Sequence, residues 1–438
     1  MHALSQGEMA RLVLTESGSA RMLPLVECSR KRYKLLDSMI LEFSAEPNKR
    51  IPELSKIQNV NACTIRIPLN VPTTFSTRHV VAREYALVRV CGDDGIEGIG
   101  FCYGGNNAAG LVTMAVTDLL APILLGQDCH AVERHWEAMY DEALLQGRAG
   151  AVMRAISILD TALWDRNARA AGLPLYKFLG AHRTDLVPAY ASGGYYLEGK
   201  TPTMLGEEMA RYVAMGFRAV KMKVGGLSNR EDADRVRAAR EAIGPDVLLT
   251  LDANNAWKDL PTALSAIRLF EPFDPYWIEE PFSPDDIDNH ARLAAATPIT
   301  VATGEIEAGR WRFKHLLERG AAAILQADAA VCGGITEWRR IAATSASFGV
   351  TMCPHWFHDL HIHLVASVPN GQFVEFFPDS EVLNFREVVT HQLEVRDGAL
   401  VLPQRPGLGF DFDEAAVSSF AVAPWKCVGP GNTLRASA

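Results

Sequence analysis

The sequence predicts an α/β protein: a barrel of parallel strands alternating with helices, preceded by a smaller α+β domain. Three observations predict it. Beyond Pro188, eight short apolar runs alternate with amphipathic segments at a spacing of roughly 20 to 30 residues, the signature of βα units and a parallel sheet. Nearly every run ends in an ionisable residue, as expected where catalytic groups gather at the carboxyl ends of barrel strands. Ahead of them, EYALVRVCGDDGIEGIGFCYG reads as two strands around an Asp-Gly turn, the texture of antiparallel pairing.

In chain order, residues 1–55 mix charge, a candidate helix at KRYKLLDSMILEF and the breakers EPNKRIPE. They form an extension with no ionisable cluster that would join a site. An α+β domain is expected over 56–185: CTIRIPL is a strand, and AVMRAISILDTALWDRNARAAG carries Val152, Ile156, Leu159 and Leu163 at helical spacing until Gly172 and Pro174 stop it. The barrel is expected over 186–390, with strands VPAYAS, FRAVKMKV, VLLTLDA, PYWIEEP, PITVATGE, AAILQADA, GVTMCPH and QFVEFF. Over 391–438, LEVRDGALVLPQRPGLGFDF is a hairpin that a completed barrel has no room for, so it is expected to return to the first domain.

Composition narrows the function. Hydrophobic residues at 48% and charged residues at 22% exclude global disorder and allow a large core. A formal net charge of −9 argues against nucleic acid or an anionic membrane as partner, because both need a basic footprint. A small anionic substrate then needs local cations. The eight cysteines form no CxxC pair and read as reduced thiols. No apolar run approaches the roughly 20 residues of a membrane span, and the first residues lack signal-peptide order, so a cytoplasmic location is expected.

The strand ends carry the chemistry. Lys221 and Lys223 sit two apart, so a strand turns both to one face, where each lysine lowers the other's pKa toward that of a useful base; the bland reading is two snorkelling surface lysines. The next three runs end in Asp252, Glu279 and Glu305. Three carboxylates at one barrel mouth repel unless a cation lies between them, and oxygen-only ligands fit Mg²⁺ better than zinc; singly, each reads as a cap or an ion pair. Asp328 and His355 end the sixth and seventh runs, and an Asp beside a His fixes its tautomer and raises its basicity. His358, His361 and His363 scatter over several helical faces with no accompanying cysteine, against a zinc site. Glu375, on the last run, would be a protonated carboxyl donating a hydrogen bond or else an ion-pair partner for a lysine.

From the KxK pair through LDAN, WIEEP, ATGE, QADAAVCGGIT and PHWF to PGLGFDF, the chain resembles the mandelate racemase subgroup of the enolase superfamily over about residues 60 to 425. The resemblance implies a (β/α)7β TIM-like barrel with an N-terminal α+β capping domain completed by the C-terminal segment. It also implies Mg²⁺ held by Asp252, Glu279 and Glu305, with Glu280 beside them; Lys223 as one base, with Lys221 on the substrate carboxylate; the His355–Asp328 pair on the opposite face; Glu375 as donor to a carboxylate oxygen; and Asn254 as a substrate contact. Loops at NVPTTFSTRHV and GGNNAAG would close the site. The implied activity is dehydration of a sugar acid, an aldonate or aldarate, to a 2-keto-3-deoxy acid through α-proton abstraction and an enediolate. Racemisation or epimerisation of a 2-hydroxy acid, and cycloisomerisation of a sugar lactone or anhydro sugar acid, are the alternatives. A homo-oligomer is expected. A noncatalytic binding barrel is the reading from another class, and it gives no reason for metal ligands and two bases to occur together.

Overall fold

Two sheets organise the computed structural model, which describes residues 55–379 and 383–430. The extension over 1–55, apart from Ser55, lies outside the described residues. The first sheet is antiparallel: β1 (Ile57–Phe75), β2 (Arg78–Gly92) and β3 (Glu97–Tyr103) lie side by side, with β14 (Lys426–Val428) on the outer edge of β1. The Asp-Gly turn joins β2 to β3 as expected, with Gly95 at φ 77° and Asp94 Oδ1 accepting from the Ile96 N–H. β1 runs well beyond CTIRIPL, and its ladder with β2 shifts register between Pro68 and Thr73 before the hairpin turns at residues 76–77. Helix α1 (Gly150–Ala170) lies directly on β3: a Cβ at Gly100 would sit 1.9 Å from the Ile158 carbonyl oxygen, so only glycine permits this approach.

The second sheet is parallel. Strands β4 (Leu186–Ser192), β5 (Ala219–Lys223), β6 (Leu248–Asp252), β7 (Pro275–Glu279), β8 (Thr300–Thr303), β9 (Ile324–Leu325), β10 (Thr351–Met352) and β11 (Val374–Phe376) correspond to the eight runs read from sequence. Between them run α2 (Pro202–Ala214), α3 (Asn229–Ile243), α4 (Leu260–Phe270), α5 (Ile287–Ala294), α6 (Arg310–Glu318), α7 (Gly334–Ser347) and α8 (His358–Ser367). Local chemistry starts these helices: Ser228 and Glu231 form a capping box on α3, and Thr201, Asp259 and Asp286 cap α2, α4 and α5. Each strand from β4 to β10 pairs in parallel with the next, a Met352–Gly371 bridge leads toward β11, and β11 pairs in parallel with β4. All carboxyl ends therefore share one rim.

The C-terminal hairpin differs from the expectation. β12 (Val395–Arg396) and β13 (Ala399–Val401) join through Asp397 and Gly398, both at positive φ, and β13 pairs antiparallel with Leu186–Pro188 at the start of β4. The reason is an open edge: β5 and β11 pair only with Ala189–Ser192, which leaves the first residues of β4 without a parallel neighbour. Leu400 is buried there. Within residues 391–430, it is the chain beyond the hairpin that reaches the first sheet, where Phe410 and Phe412 pack on Phe101 and β14 joins β1.

Helix α1 is pinned to α7 by a buried carboxylate. Asp160 accepts from the Thr336 N–H at 2.9 Å and from Thr336 Oγ1 at 2.6 Å. Burial pushes its carboxyl up to about 7, against these hydrogen bonds. The folded state thus keeps a proton that the unfolded chain has released, and this group's contribution to stability falls as pH rises from about 4 to about 7. Asp160→Asn, which cannot ionise, is expected to lose less Tm than the parent between about pH 5 and about pH 8. Thermal unfolding at both values checks it, and equal slopes would mean that Asp160 titrates as an ordinary carboxyl.

Candidate active site

Strand period and register assemble the charged groups. Residues two apart on a strand share a face, so Lys221 and Lys223 both turn inward while Met222 packs outside among aliphatic residues. The ladders set Lys223 beside Asp252, and Asp252 beside Glu279, in neighbouring strands. Glu305 follows β8 after Gly304, whose φ of 117° bends the chain back over the rim. Asp252, Glu279 and Glu305 each offer a carboxylate oxygen within 4.8 Å of the others.

The lysines are not snorkelling. Lys221 is 1% exposed, with Nζ 2.7 Å from both Glu279 Oε1 and Glu375 Oε1, and Lys223 Nζ lies 2.5 Å from Asp252 Oδ2. Set by the protein's own groups alone, the lysine pKa values run opposite to the expected depression. Burial does pull both ammonium groups down, but the carboxylates of Glu279 and Glu375 around Lys221, and of Asp252 around Lys223, outweigh it and hold both above the ordinary lysine range. Glu375 is corrected with them: burial pushes its carboxyl up, yet Lys221, His355 and Lys223 bring it down to about 2, so it is an ionised ion-pair partner. Its Oε2 accepts from the Trp356 N–H at 2.7 Å.

On the other side of the rim, β9 and β10 leave the ladder after two residues, so Asp328 and His355 sit in the loops that follow. Asp328 caps a short helical turn through the Ala330 N–H, and its Oδ2 lies 3.1 Å from His355 Nδ1. His355 Nε2 is then turned toward Glu305 Oε1, 3.6 Å away. Burial pulls the imidazole down, but Glu305, Asp328 and Glu375 raise it to about 9. Asp328 is also burdened by burial, and contact with His355 and His361 outweighs that and holds it well below the usual carboxylate range. Of the three remaining histidines, His361 accepts from the Ala329 N–H beside Asp328, and His363 lies between Tyr176 and Leu408. His358 packs at a tilt against Phe376.

Of these groups, Lys223, Glu305, Asp328 and His355 face a cavity of about 390 Å³ roofed by the first sheet and α1. Both loops expected to close the site do so. Ser76 Oγ donates to the Ala253 carbonyl and Thr77 Oγ1 to that of Asn254, while Gly104, Gly105 and Asn106 line the cavity. Asn254, at φ 43°, donates its N–H to Asp252 Oδ1, and its own Oδ1 is buried without a hydrogen-bond partner. Sequence reasoning missed the roof: Tyr103 stacks on Trp356 at 5.2 Å, the Arg83 guanidinium lies 4.4 Å from the Trp356 ring, and Arg154 lines the wall. The available signal was the Arg83–Glu84 pair inside the largely apolar strand VVAREYALV.

The donor set fits a hard dication. Three carboxylates converge, the buried Glu305 Oε2 has no hydrogen-bond partner, and no sulfur or imidazole belongs to the group. Glu280 is buried nearby, held at φ 42°, and is not one of the three. Glu279→Gln is therefore expected to weaken Mg²⁺ binding at least about tenfold, and more than Glu280→Gln does. Titration calorimetry decides it; the reverse ranking would make Glu280 the ligand.

Known proteins agree with this architecture. The family described as mandelate racemase / muconate lactonizing enzyme, N-terminal domain, matches residues 58–180, and enolase C-terminal domain-like matches residues 204–416. The chain is 35% identical to the 3,6-anhydro-alpha-L-galactonate cycloisomerase of Streptomyces coelicolor over 84% of this chain and 99% of that protein. It is also 35% identical to the L-talarate/galactarate dehydratase of Salmonella typhimurium, over 82% of this chain and 90% of that protein. A crystal structure of the latter, liganded with Mg and L-lyxarohydroxamate, superposes with a TM-score of 0.79 over 87% of this chain and 97% of that one, at 30% identity. With both halves matched and relatives aligned over most of their length, the chain belongs to the mandelate racemase/muconate lactonizing enzyme family of the enolase superfamily.

Proposed function

We propose that the protein is a Mg²⁺-dependent hydro-lyase that dehydrates a sugar acid, an aldonate or aldarate, to a 2-keto-3-deoxy acid. The observation that carries the reading is that Lys223 and the His355–Asp328 pair, two independent proton-transfer groups, line one cavity beside the carboxylate triad. The parallel sheet, whose pairing returns from β11 to β4, is taken as a (β/α)7β TIM-like barrel beneath the α+β cap, with the 395–401 hairpin assigned to the barrel.

Held by Asp252, Glu279 and Glu305, Mg²⁺ would supply positive charge against the negative charge that develops on the substrate carboxylate. Lys221, fixed between Glu279 and Glu375, presents a second cation to that carboxylate. One of Lys223 and His355, in its neutral form, accepts the α-proton, leaving an enediolate. The other gives a proton to the β-hydroxyl, which departs as water, and the enol then becomes the 2-keto acid. Asp328 keeps the His355 Nδ1–H engaged so that Nε2 faces the cavity. Trp356, Tyr103 and the closing loops exclude water, which strengthens each of these interactions.

The similarity to the Streptomyces coelicolor cycloisomerase, equal to that with the dehydratase, supports a second reading: the same proton abstraction followed by opening of a ring oxygen in a lactone or anhydro sugar acid.

Turnover is expected to stop after exhaustive chelation and return with Mg²⁺. In D₂O, one of Lys223→Ala and His355→Asn should lose α-hydrogen exchange, and the other should still exchange while forming at least about 100-fold less keto acid than the parent. Inverted substrate without keto acid, each variant exchanging one enantiomer only, would replace dehydration by racemisation. An isomer of unchanged mass would favour the cycloisomerase.

A further inference from the structure

We infer that the substrate carries a second anionic group, so that the acid is a dicarboxylate such as an aldarate, and that its distal carboxylate is received by arginines of the cap wall. The inference rests on the proposed function and concerns the cap wall of the same cavity. Charge is sorted between the two walls. Among the described residues, the acidic and basic groups that the barrel side contributes to the cavity are Lys223, Glu280, Glu305, Asp328 and His355, whereas the cap side contributes Arg78, Arg83 and Arg154 and no carboxylate.

The cap could have neutralised Arg154, and elsewhere it does so for an arginine: Arg66 on β1 pairs with Glu84 at 3.4 Å. Arg154 instead donates only to the Tyr103 carbonyl, at 3.0 Å, and makes no ion pair among the described residues. Arg83 is 1% exposed and lies over the Trp356 and Tyr103 rings, which fix its plane against the cavity. Ala151, in the first turn of the 21-residue helix α1, also lines the cavity, and no side chain caps that end, so its partial positive charge adds to that of Arg154.

A planar guanidinium matches a carboxylate through paired, charge-assisted hydrogen bonds, and a hydroxymethyl end cannot reproduce them. The first carboxylate of the substrate is bound at the triad and Lys221. A monoacid would therefore leave Arg154 facing hydroxyl groups only, in a space from which loop closure removes water.

The test is kcat/KM of the Mg²⁺-loaded enzyme on matched pairs, galactarate against galactonate and glucarate against gluconate, followed as keto acid. Calorimetric binding of the same four acids to the Mg²⁺-loaded protein gives a second readout that needs no turnover. The diacid is expected to lead each productive pair, and Arg154→Met should cut the diacid-to-monoacid ratio roughly 10- to 100-fold, the loss of hydrogen bonds to a charged group. Arg154→Lys should recover part of it. Arg83→Met should act in the same direction, and since it also removes packing, Arg154 carries the decision. Equal or better turnover and binding of the monoacids by the parent, or an Arg154→Met variant that lowers both members of a pair alike, overturns the inference and leaves the dehydratase reading standing. Diacids that bind more tightly through Arg154 but yield neither keto acid nor α-hydrogen exchange would sustain the subsite and overturn the dehydratase reading.

Discussion

The ammonium of Lys221, enclosed between Glu279 and Glu375 at the centre of the strand ends, is the interaction on which the remaining site geometry depends. A lysine and two carboxylates removed from water are each costly alone, and they persist only because each neutralises another. Removing one leaves an unpaired charge in the interior, a loss far larger than that of a surface ion pair. The strands bearing them are thereby tied in register: β5 to β7 through Lys221 and Glu279, β5 to β11 through Lys221 and Glu375, and β5 to β6 through Lys223 and Asp252. Acidic charge still exceeds basic charge at this rim, and the triad of Asp252, Glu279 and Glu305 marks where a dication completes the balance.

Backbone strain follows the same boundary. Four of the six non-glycine residues at positive φ among the described residues, Asn254, Asn255, Glu280 and Trp356, line the cavity. Such conformations cost about 1 to 3 kcal/mol each and persist where surrounding contacts over-determine them. At Trp356 those contacts are visible: its N–H is held by Glu375, its ring by Tyr103 and Arg83. Because Trp356 follows His355 directly, the cap that stacks on the indole also fixes the backbone from which the imidazole projects. Phe357, the next residue, joins Phe101, Phe385 and the cap aromatics, so the loop carrying His355 is packed into the junction of the two sheets. The contacts that seat the first sheet on this loop therefore also hold the backbone that carries His355.

Much of this was legible in the sequence because strand chemistry is local. Period two put Lys221 and Lys223 on one face, and carboxylates at the ends of successive apolar runs had to meet once parallel strands aligned their carboxyl ends. The eight strands, the carboxylate triad and the His355–Asp328 pair needed no more than that pattern, and the motif resemblance added the roles proposed for them. Protonation did not follow from it. Spacing revealed that two lysines are neighbours, but only the structure revealed that each has a carboxylate at 2.5 to 2.7 Å, and the nearer opposite charge sets the sign of the shift.

Tertiary structure alone decided the course of the C-terminal hairpin and the identity of the roof. The hairpin joins β4 because the first half of that strand has no parallel neighbour, a vacancy that depends on the stagger of β5 and β11 and not on any residue within the hairpin. Arg83, Tyr103 and Arg154 belong to three different elements, and each alone is an ordinary residue. They acquire a common role only because glycines in β3 let α1 approach closely and because the cap lies over the strand ends. The sequence by itself determined which groups gather at the rim, through periodicity within single strands; the tertiary structure decided their charge states and what faces them across the cavity, because both depend on distances between segments far apart in the chain.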